Sequence, residues 1–107
     1  MYVLLVSSSY SPATLKAALN LAKTSMNRGH RVTLFFNEDS TRLLAADRLE
    51  AGLAALASRG VRLLACRTSV LEWGLAEPGA LMEGAEISSL GELVELMEDA
   101  DRVLFLG

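Results

Sequence analysis

Residues 28–36 read RGHRVTLFF, which places a glycine directly before a run of β-branched and aromatic residues. Gly29 suits the left-handed conformation that follows many helices, and residues 32–36 are typical of a buried strand. Runs of the same kind occupy residues 2–6, 61–64 and 103–106. We therefore predict four buried strands, with a helix that ends just before the second of them.

Apolar residues recur at helical spacing between these strands. Three stripes occupy residues 15–26, 43–56 and 90–97; the second includes Leu49 and the third includes Val94. Each stripe predicts a helix that packs against a sheet.

Local start and stop signals support these helices. Ser11 followed by Pro12 predicts an N-cap, and Gly60 predicts a left-handed C-terminal cap. Ser89 and Glu92 fit a capping box, in which both side chains accept from backbone N–H groups at the helix start. We therefore predict that helices begin after Ser11 and Ser89.

The alternation of strands and helices predicts right-handed crossovers and helices on both faces of a sheet. A chain of 107 residues suffices for one such domain, residues 1–107, and is too short for a second core. A short fifth strand is expected near Glu86 and Ile87, and residues 73–84 are expected to form a loop. The predicted fold class is α/β, a three-layer α/β/α sandwich with a mostly parallel sheet of about five strands.

Composition and charge argue against several function classes. The hydrophobic content of 51% becomes about 57% when Gly is counted in place of Tyr, above the roughly 45–50% of soluble domains, which indicates a subunit interface. The formal charge of −3 supplies no basic field for nucleic acid or an anionic bilayer. Residues 72–101 carry nine acids and no base, which favours a solvated acidic surface over contact between unlike subunit faces. We expect neither a nucleic-acid nor a membrane partner.

The single cysteine and single histidine limit the chemistry further. Cys66 has no disulfide partner within the chain, and Cys66 and His30 alone cannot form a zinc cluster. The N-terminus lacks a basic stretch and no apolar stretch reaches about 18 residues, so neither a signal peptide nor a membrane span is expected. We expect a cytoplasmic protein that holds no metal.

Ligands of open α/β sheets gather beyond the carboxyl ends of the strands, so the residues that leave each strand form the candidate site. The exits of the first three strands should therefore meet at one rim. The candidate residues there are Ser8, Ser9, Asn37, Cys66, Arg67, Thr68 and Ser69.

Cys66 carries the sharpest chemical signal. A strand ends just before it and a helix is expected just after it, so helix N–H groups and Arg67 would favour its thiolate. Cysteine is also among the most buried residue types, and position alone slightly favours an inert core cysteine. His30 is expected at the opposite rim, which leaves a Cys–His hydrolase without its base and favours sulfur exchange, a reaction that needs only a thiolate.

Other interpretations of the rim stay open. Residues 8–14 are rich in hydroxyls and loosely resemble the phosphate loop of flavodoxins, although they contain no glycine. Glu38 and Asp39 form a candidate carboxylate pair, but Asp39 or Ser40 is expected to cap the following helix instead. Trp73 is expected to anchor the core or an interface rather than to serve as a stacking platform.

The order of segments resembles the DsrE/DsrF/TusD family of sulfur-relay proteins over nearly the whole chain. The resemblance is carried by residues 2–10, 28–36, 56–61 and 86–105, and by Leu64-Ala65-Cys66 followed by Trp73-Gly74-Leu75. It implies a small α/β subunit that forms trimers or hexamers, either of identical chains or with homologous subunits.

The resemblance also implies that the protein passes persulfide sulfur between a donor and an acceptor protein, without a cofactor. Cys66 aligns with the sulfur-carrying cysteine and would be the catalytic residue of a sulfurtransferase or sulfur carrier. The substrate- or partner-binding residues would then be Arg67, Thr68, Ser69, Ser8, Ser9 and Asn37. The alternatives are a non-catalytic assembly subunit with a passive Cys66 and a flavodoxin-like module that binds a small ligand.

Overall fold

The computed structural model describes residues 1–107 as a five-stranded sheet with four α-helices and two 3₁₀ helices. The strands are Tyr2–Ser7 (β1), Arg31–Phe36 (β2), Arg62–Cys66 (β3), Ala85–Ser88 (β4) and Arg102–Leu106 (β5). The α-helices are Pro12–Asn27 (α1), Ala51–Ser58 (α2), Arg67–Glu72 (α3) and Leu90–Asp99 (α4). The 3₁₀ helices Glu38–Leu44 and Ala46–Arg48 lie between β2 and α2. All five predicted strands are present.

The sheet is entirely parallel, with the strand order β4-β3-β2-β1-β5. The chain adds strands in one direction from β1 to β4 and then crosses to the far edge for β5. Right-handed crossovers keep the connecting helices on one face while the direction is constant and move them to the other face when it reverses. The predicted α/β/α fold class is confirmed.

Each face of the sheet has its own core, because successive strand residues point to opposite sides. The larger core lies under α1, α2 and α3 and contains sixteen buried residues. The smaller core lies under α4 and contains Leu4, Val6, Phe35, Leu64, Cys66 and Leu93. The third layer of the sandwich is therefore the ten-residue helix α4 alone.

The second apolar stripe, residues 43–56, does not form one helix as predicted. Ala45 is extended and forms an antiparallel bridge with Leu81, and α2 begins only at Ala51. Leu49 adopts the left-handed conformation (φ 53°) and is 84% exposed. A left-handed residue cannot continue a right-handed helix, so the prediction that Leu49 faces the sheet is wrong.

Two predictions of burial are wrong at α4 and β5. Leu93 is the one buried residue of α4. The exposed large apolar residues of the two elements are Leu90, Val94, Met97, Leu104 and Phe105. The reason is topological, since β5 is an edge strand that pairs only with β1, and no second helix shares the face that α4 covers.

The predicted starts of α1 and α4 are confirmed. The Ser11 hydroxyl accepts from the N–H of Thr14 (3.1 Å), and the Ser89 hydroxyl accepts from the N–H of Glu92 (3.0 Å). The capping box of α4 is half formed, because the Glu92 carboxylate accepts from the Ser88 hydroxyl and not from the Ser89 N–H. The left-handed glycines predicted after α1 and α2 are also present, at Gly29 and Gly60.

Candidate functional site

The exits of the first three strands are joined by hydrogen bonds at the carboxyl end of the sheet. The Ser8 hydroxyl donates to Asn37 Oδ1 (2.6 Å), which joins the exit of β1 to that of β2. The N–H of Glu38 donates to the Ser69 hydroxyl (2.8 Å), which joins the exit of β2 to α3. These residues, together with Cys66 at the end of β3, are called the carboxyl rim below.

The loop from β1 to α1 uses its polar groups internally. The N–H groups of Ser8 and Ser9 both donate to the backbone oxygen of Gly107, at 2.9 and 2.7 Å. The hydroxyls of Ser9 and Thr14 are hydrogen-bonded at 2.7 Å, and Ser11 caps α1. A phosphate loop needs free N–H donors, so these bonds favour a closed structural turn over the flavodoxin-like interpretation.

The prediction that Asp39 or Ser40 caps the next helix is wrong. Asn37 occupies the N-cap position of the first 3₁₀ helix, and no side chain forms a cap there. The Ser40 hydroxyl instead donates to the backbone oxygens of Ser7 (2.6 Å) and Asn37 (2.8 Å). Ser40 therefore ties the exit of β1 to the 3₁₀ helix.

Cys66 is the last residue of β3 and immediately precedes α3. Its side chain lies on the α4 face, packed in the smaller core with Phe35 and Leu93, and the residue is only 4% exposed. Arg67 and Thr68 next to it are exposed. The structure thus gathers the predicted residues at one end of the sheet, but no hydrogen bond joins Cys66 Sγ to any of them.

His30 lies at the other end of the sheet, as predicted. It directly precedes β2, and its Nδ1 is 3.3 Å from the N-terminal nitrogen of Met1. Because Cys66 ends β3 at the carboxyl rim, the only imidazole of the chain is not positioned to take the thiol proton.

Polar residues that the sequence did not predict lie beside Cys66 on the α4 face. Ser88 is its partner in the register of β3 and β4, and Ser88 is buried. The Ser88 hydroxyl donates to Glu92, whose carboxylate lies 4.0 Å from Arg62 Nη2. No local sequence signal predicts this arrangement, because it arises only when β4 pairs with β3 and α4 packs across them.

Two further findings concern the chain as a whole. No group of three or more His, Cys, Asp or Glu side chains is placed to hold a metal ion. None of the helices has the length and apolarity that a membrane span requires.

The amino-acid sequence matches a known family over almost its whole length. A sequence model of the DsrE/DsrF-like family matches residues 1–106. The chain belongs to the DsrE/DsrF-like family. In this DsrE-like chain, Cys66 is the single cysteine and ends the third strand.

Three solved structures share the DsrE-like fold. The ychN protein from E. coli has a TM-score of 0.82 at 23% identity, with 97% of both chains covered. MTH1491 from Methanobacterium thermoautotrophicum, a protein of unknown function, has a TM-score of 0.87 at 16% identity, with 97% of both chains covered. BT1422 from Bacteroides thetaiotaomicron has a TM-score of 0.77 at 17% identity, over 97% of this chain and 93% of its own. These likenesses establish the fold, and no curated protein matches the sequence.

Proposed function

We propose that this DsrE-like protein carries sulfur as a persulfide on Cys66 and passes it from a donor protein to an acceptor protein. The position of Cys66 carries the proposal: the single cysteine of a family member ends β3 at the carboxyl rim, where open α/β sheets bind their ligands. A reducing compartment such as the cytoplasm would keep this thiol free for exchange.

The proposed transfer is thiol exchange at sulfur and needs no cofactor. Cys66 loses its proton, and its thiolate attacks the outer sulfur of a donor persulfide. The S–S bond of the donor breaks, its electron pair leaves on the donor sulfur as a thiolate, and the outer sulfur stays on Cys66 as a persulfide. An acceptor thiolate repeats the attack on that outer sulfur and returns the Cys66 thiolate. Sulfur moves without a net oxidant or reductant.

Because Cys66 is buried, sulfur transfer requires that its Sγ becomes accessible to the partner. The side chain is covered on the α4 face, where Leu93 is the one buried residue of that helix. A short helix with little buried apolar surface opens locally at a low free energy. We therefore propose that Cys66 exchanges sulfur when α4 moves off the smaller core.

We propose that the other rim residues contact the partner protein and stabilise the thiolate or persulfide anion of Cys66. Arg67 and Thr68 are exposed and offer a contact surface, and the guanidinium of Arg67 adds positive potential for a thiolate or persulfide anion. Ser8 and Asn37, bonded to each other, and Ser69, bonded to Glu38, would hold the rim in shape. Ser9 contributes through the turn that its bond to Thr14 closes.

The experiment that tests the proposal is incubation of the full chain with several persulfide donors, followed by mass spectrometry. The expected result is a gain of one sulfur atom that peptide mapping assigns to Cys66 and that a thiol acceptor removes. Cys66→Ser is the control and should gain nothing. No gain on the native chain with any donor contradicts the proposal.

The second candidate is a non-catalytic assembly subunit, alone or with homologous chains, in which Cys66 only packs. The low exposure of Cys66 favours it, as do the uncovered apolar residues of β5, of which Phe105 is 67% exposed. A trimer or hexamer is the expected form.

Alkylation separates the two candidates. Under the sulfur-carrier proposal, a mild alkylating reagent modifies Cys66 of the native chain at a measurable rate at neutral pH. If modification occurs only on denaturation, the assembly role is the correct one.

A further inference from the structure

Arginine and aromatic side chains from three separate segments converge beside the carboxyl rim. Tyr10 follows β1, Arg42 belongs to the first 3₁₀ helix, and Trp73 directly follows α3. The guanidinium carbon of Arg42 lies over both rings, 4.1 Å from the centre of the Tyr10 ring and 4.5 Å from that of Trp73. Each contact is a cation–π attraction, so the position of this guanidinium is fixed from two sides.

The N–H groups of Arg42 are nevertheless unused by the protein. None of them donates to another residue, and no carboxylate lies within 4.0 Å, since the chain's arginine–carboxylate pairs involve Arg48 and Arg62 only. A guanidinium presents its donors as a planar fork that matches a carboxylate. Arg42 is therefore held in place while its donors stay free for an outside acceptor.

Both rings are positioned independently of Arg42. The Tyr10 hydroxyl accepts from Arg48 Nη1 (2.7 Å), and Trp73 Nε1 donates to the backbone oxygen of Glu38 (3.2 Å). A site whose walls are already fixed loses little entropy when a ligand binds, which raises the affinity that a small ligand reaches.

These side chains line an open surface cavity of about 220 Å³. Its lining consists of Tyr10, Arg42, Ala45, Asp47, Arg48, Trp73 and Leu75. Pockets for drug-sized ligands hold roughly 300–1,000 Å³, so only a smaller molecule fits here. Asp47 and Glu50, whose carboxylate lies 3.7 Å from Arg48 Nη2, offset the two arginines, so Arg42 is the one cation here without a carboxylate partner.

We propose that this cavity binds a small organic monocarboxylate, with its oxygens on the Arg42 guanidinium and its carbon chain against Trp73 and Leu75. Asp47 and Glu50 together offset the two arginines, so a second negative charge on the ligand gains no net attraction and is repelled by Asp47, which favours a monocarboxylate over inorganic phosphate. The site requires no chemistry at Cys66, so its test is independent of the sulfur-carrier proposal.

Trp73 reports on this site directly, because it is the only tryptophan of the chain. The test titrates the full chain with butanoate at neutral pH and constant ionic strength while the tryptophan emission is recorded. The expected result is a saturable change with a millimolar dissociation constant, and no change with 1-butanol. The absence of a saturable change, or tighter binding of inorganic phosphate than of butanoate, overturns the proposal.

Two variants at the cavity and one elsewhere make the test specific. Arg42→Gln should weaken butanoate binding at least about tenfold, because a charge-assisted pair is lost. Asp47→Asn should tighten it severalfold, and a gain in affinity cannot come from a misfolded chain. Arg59→Gln, which alters an exposed arginine bonded to Asn27, should leave the dissociation constant unchanged. Equal affinities of Arg42→Gln, Asp47→Asn and the native chain contradict the proposed site.

Discussion

Ser7 and Ser40 are buried side by side near the carboxyl rim, but their hydroxyls differ in hydrogen bonding. The Ser40 hydroxyl donates to two backbone oxygens, whereas Ser7 Oγ has no partner. Removal of a bonded hydroxyl costs free energy, while removal of an unpaired one costs nothing or stabilises. We expect Ser40→Ala to lower the free energy of unfolding by about 1–2 kcal/mol and Ser7→Ala to leave it unchanged or raise it. Denaturant titrations measure both, and a larger loss in Ser7→Ala than in Ser40→Ala contradicts this account.

The effect of Leu49 on the free energy of unfolding comes from its backbone conformation and not from packing of its side chain. It is left-handed and exposed, so its side chain contributes little packing, while its Cβ crowds the following carbonyl. Asn tolerates this conformation and a β-branched residue does not. We expect Leu49→Asn to raise the free energy of unfolding by about 1 kcal/mol and Leu49→Val to lower it. Thermal denaturation distinguishes the two, and a Leu49→Asn chain that melts below the native one refutes the prediction.

At the scale of the element, α4 is the helix that packs on the smaller core, which holds Cys66. Its start depends on the Ser89 cap, and loss of such a cap costs about 1 kcal/mol. If local opening of α4 exposes Cys66, the opened population rises about fivefold in Ser89→Ala, since 1 kcal/mol is a factor of about five. We therefore expect the native-state alkylation rate of Cys66 to rise about fivefold in this variant.

The matched control for this measurement is Ser11→Ala. Ser11 caps α1 in the same way, but α1 packs on the larger core and not on the face that holds Cys66. Its cap loss should therefore leave the alkylation rate close to that of the native chain. Equal acceleration in both variants would indicate global unfolding as the route to Cys66 and would contradict gating by α4.

Elements with signals in their own sequence were predicted correctly, and elements decided by distant contacts were not. Helix α1 carries its cap at Ser11 and its stop at Gly29, so its limits are local. Periodicity predicts one helix for the second stripe, because neither the bridge between Ala45 and Leu81 nor the left-handed Leu49 leaves a periodic signal. The exposure of α4 and β5 follows from the strand order, which periodicity does not encode.

The same distinction applies to the candidate site. The rim was predictable, because the exits of parallel strands lie at one end of the sheet. The burial of Cys66 was not predictable, because it depends on α4. This helix comes later in the chain, and the local sequence does not indicate which face of the sheet it packs on. The contacts of Arg42 with Tyr10 and Trp73 join residues more than thirty positions apart, so no motif indicates them.

At the scale of the whole molecule, the β5 edge of the sheet combines unpaired backbone groups with uncovered apolar side chains. Strand β5 pairs only with β1, so its other edge has free backbone groups. Leu104 and Phe105 are exposed on opposite faces of this strand, since their register partners are Leu5 of the larger core and Val6 of the smaller one. An apolar edge of this kind is an aggregation risk in a monomer and is protected when a second subunit covers it.

We therefore expect the native chain to be an oligomer whose contact includes β5. Phe105→Asp places an unpaired charge in that contact, where burial of a charge costs several kcal/mol, and should convert the oligomer to a folded monomer. Light scattering after size exclusion measures the mass, and circular dichroism checks the fold. Leu49→Asn removes a comparably exposed apolar side chain away from β5 and should keep the native mass. A native chain that already elutes as a monomer, or a Phe105→Asp chain of unchanged mass, refutes this assembly, because the apolar edge would then be stable in water without a partner.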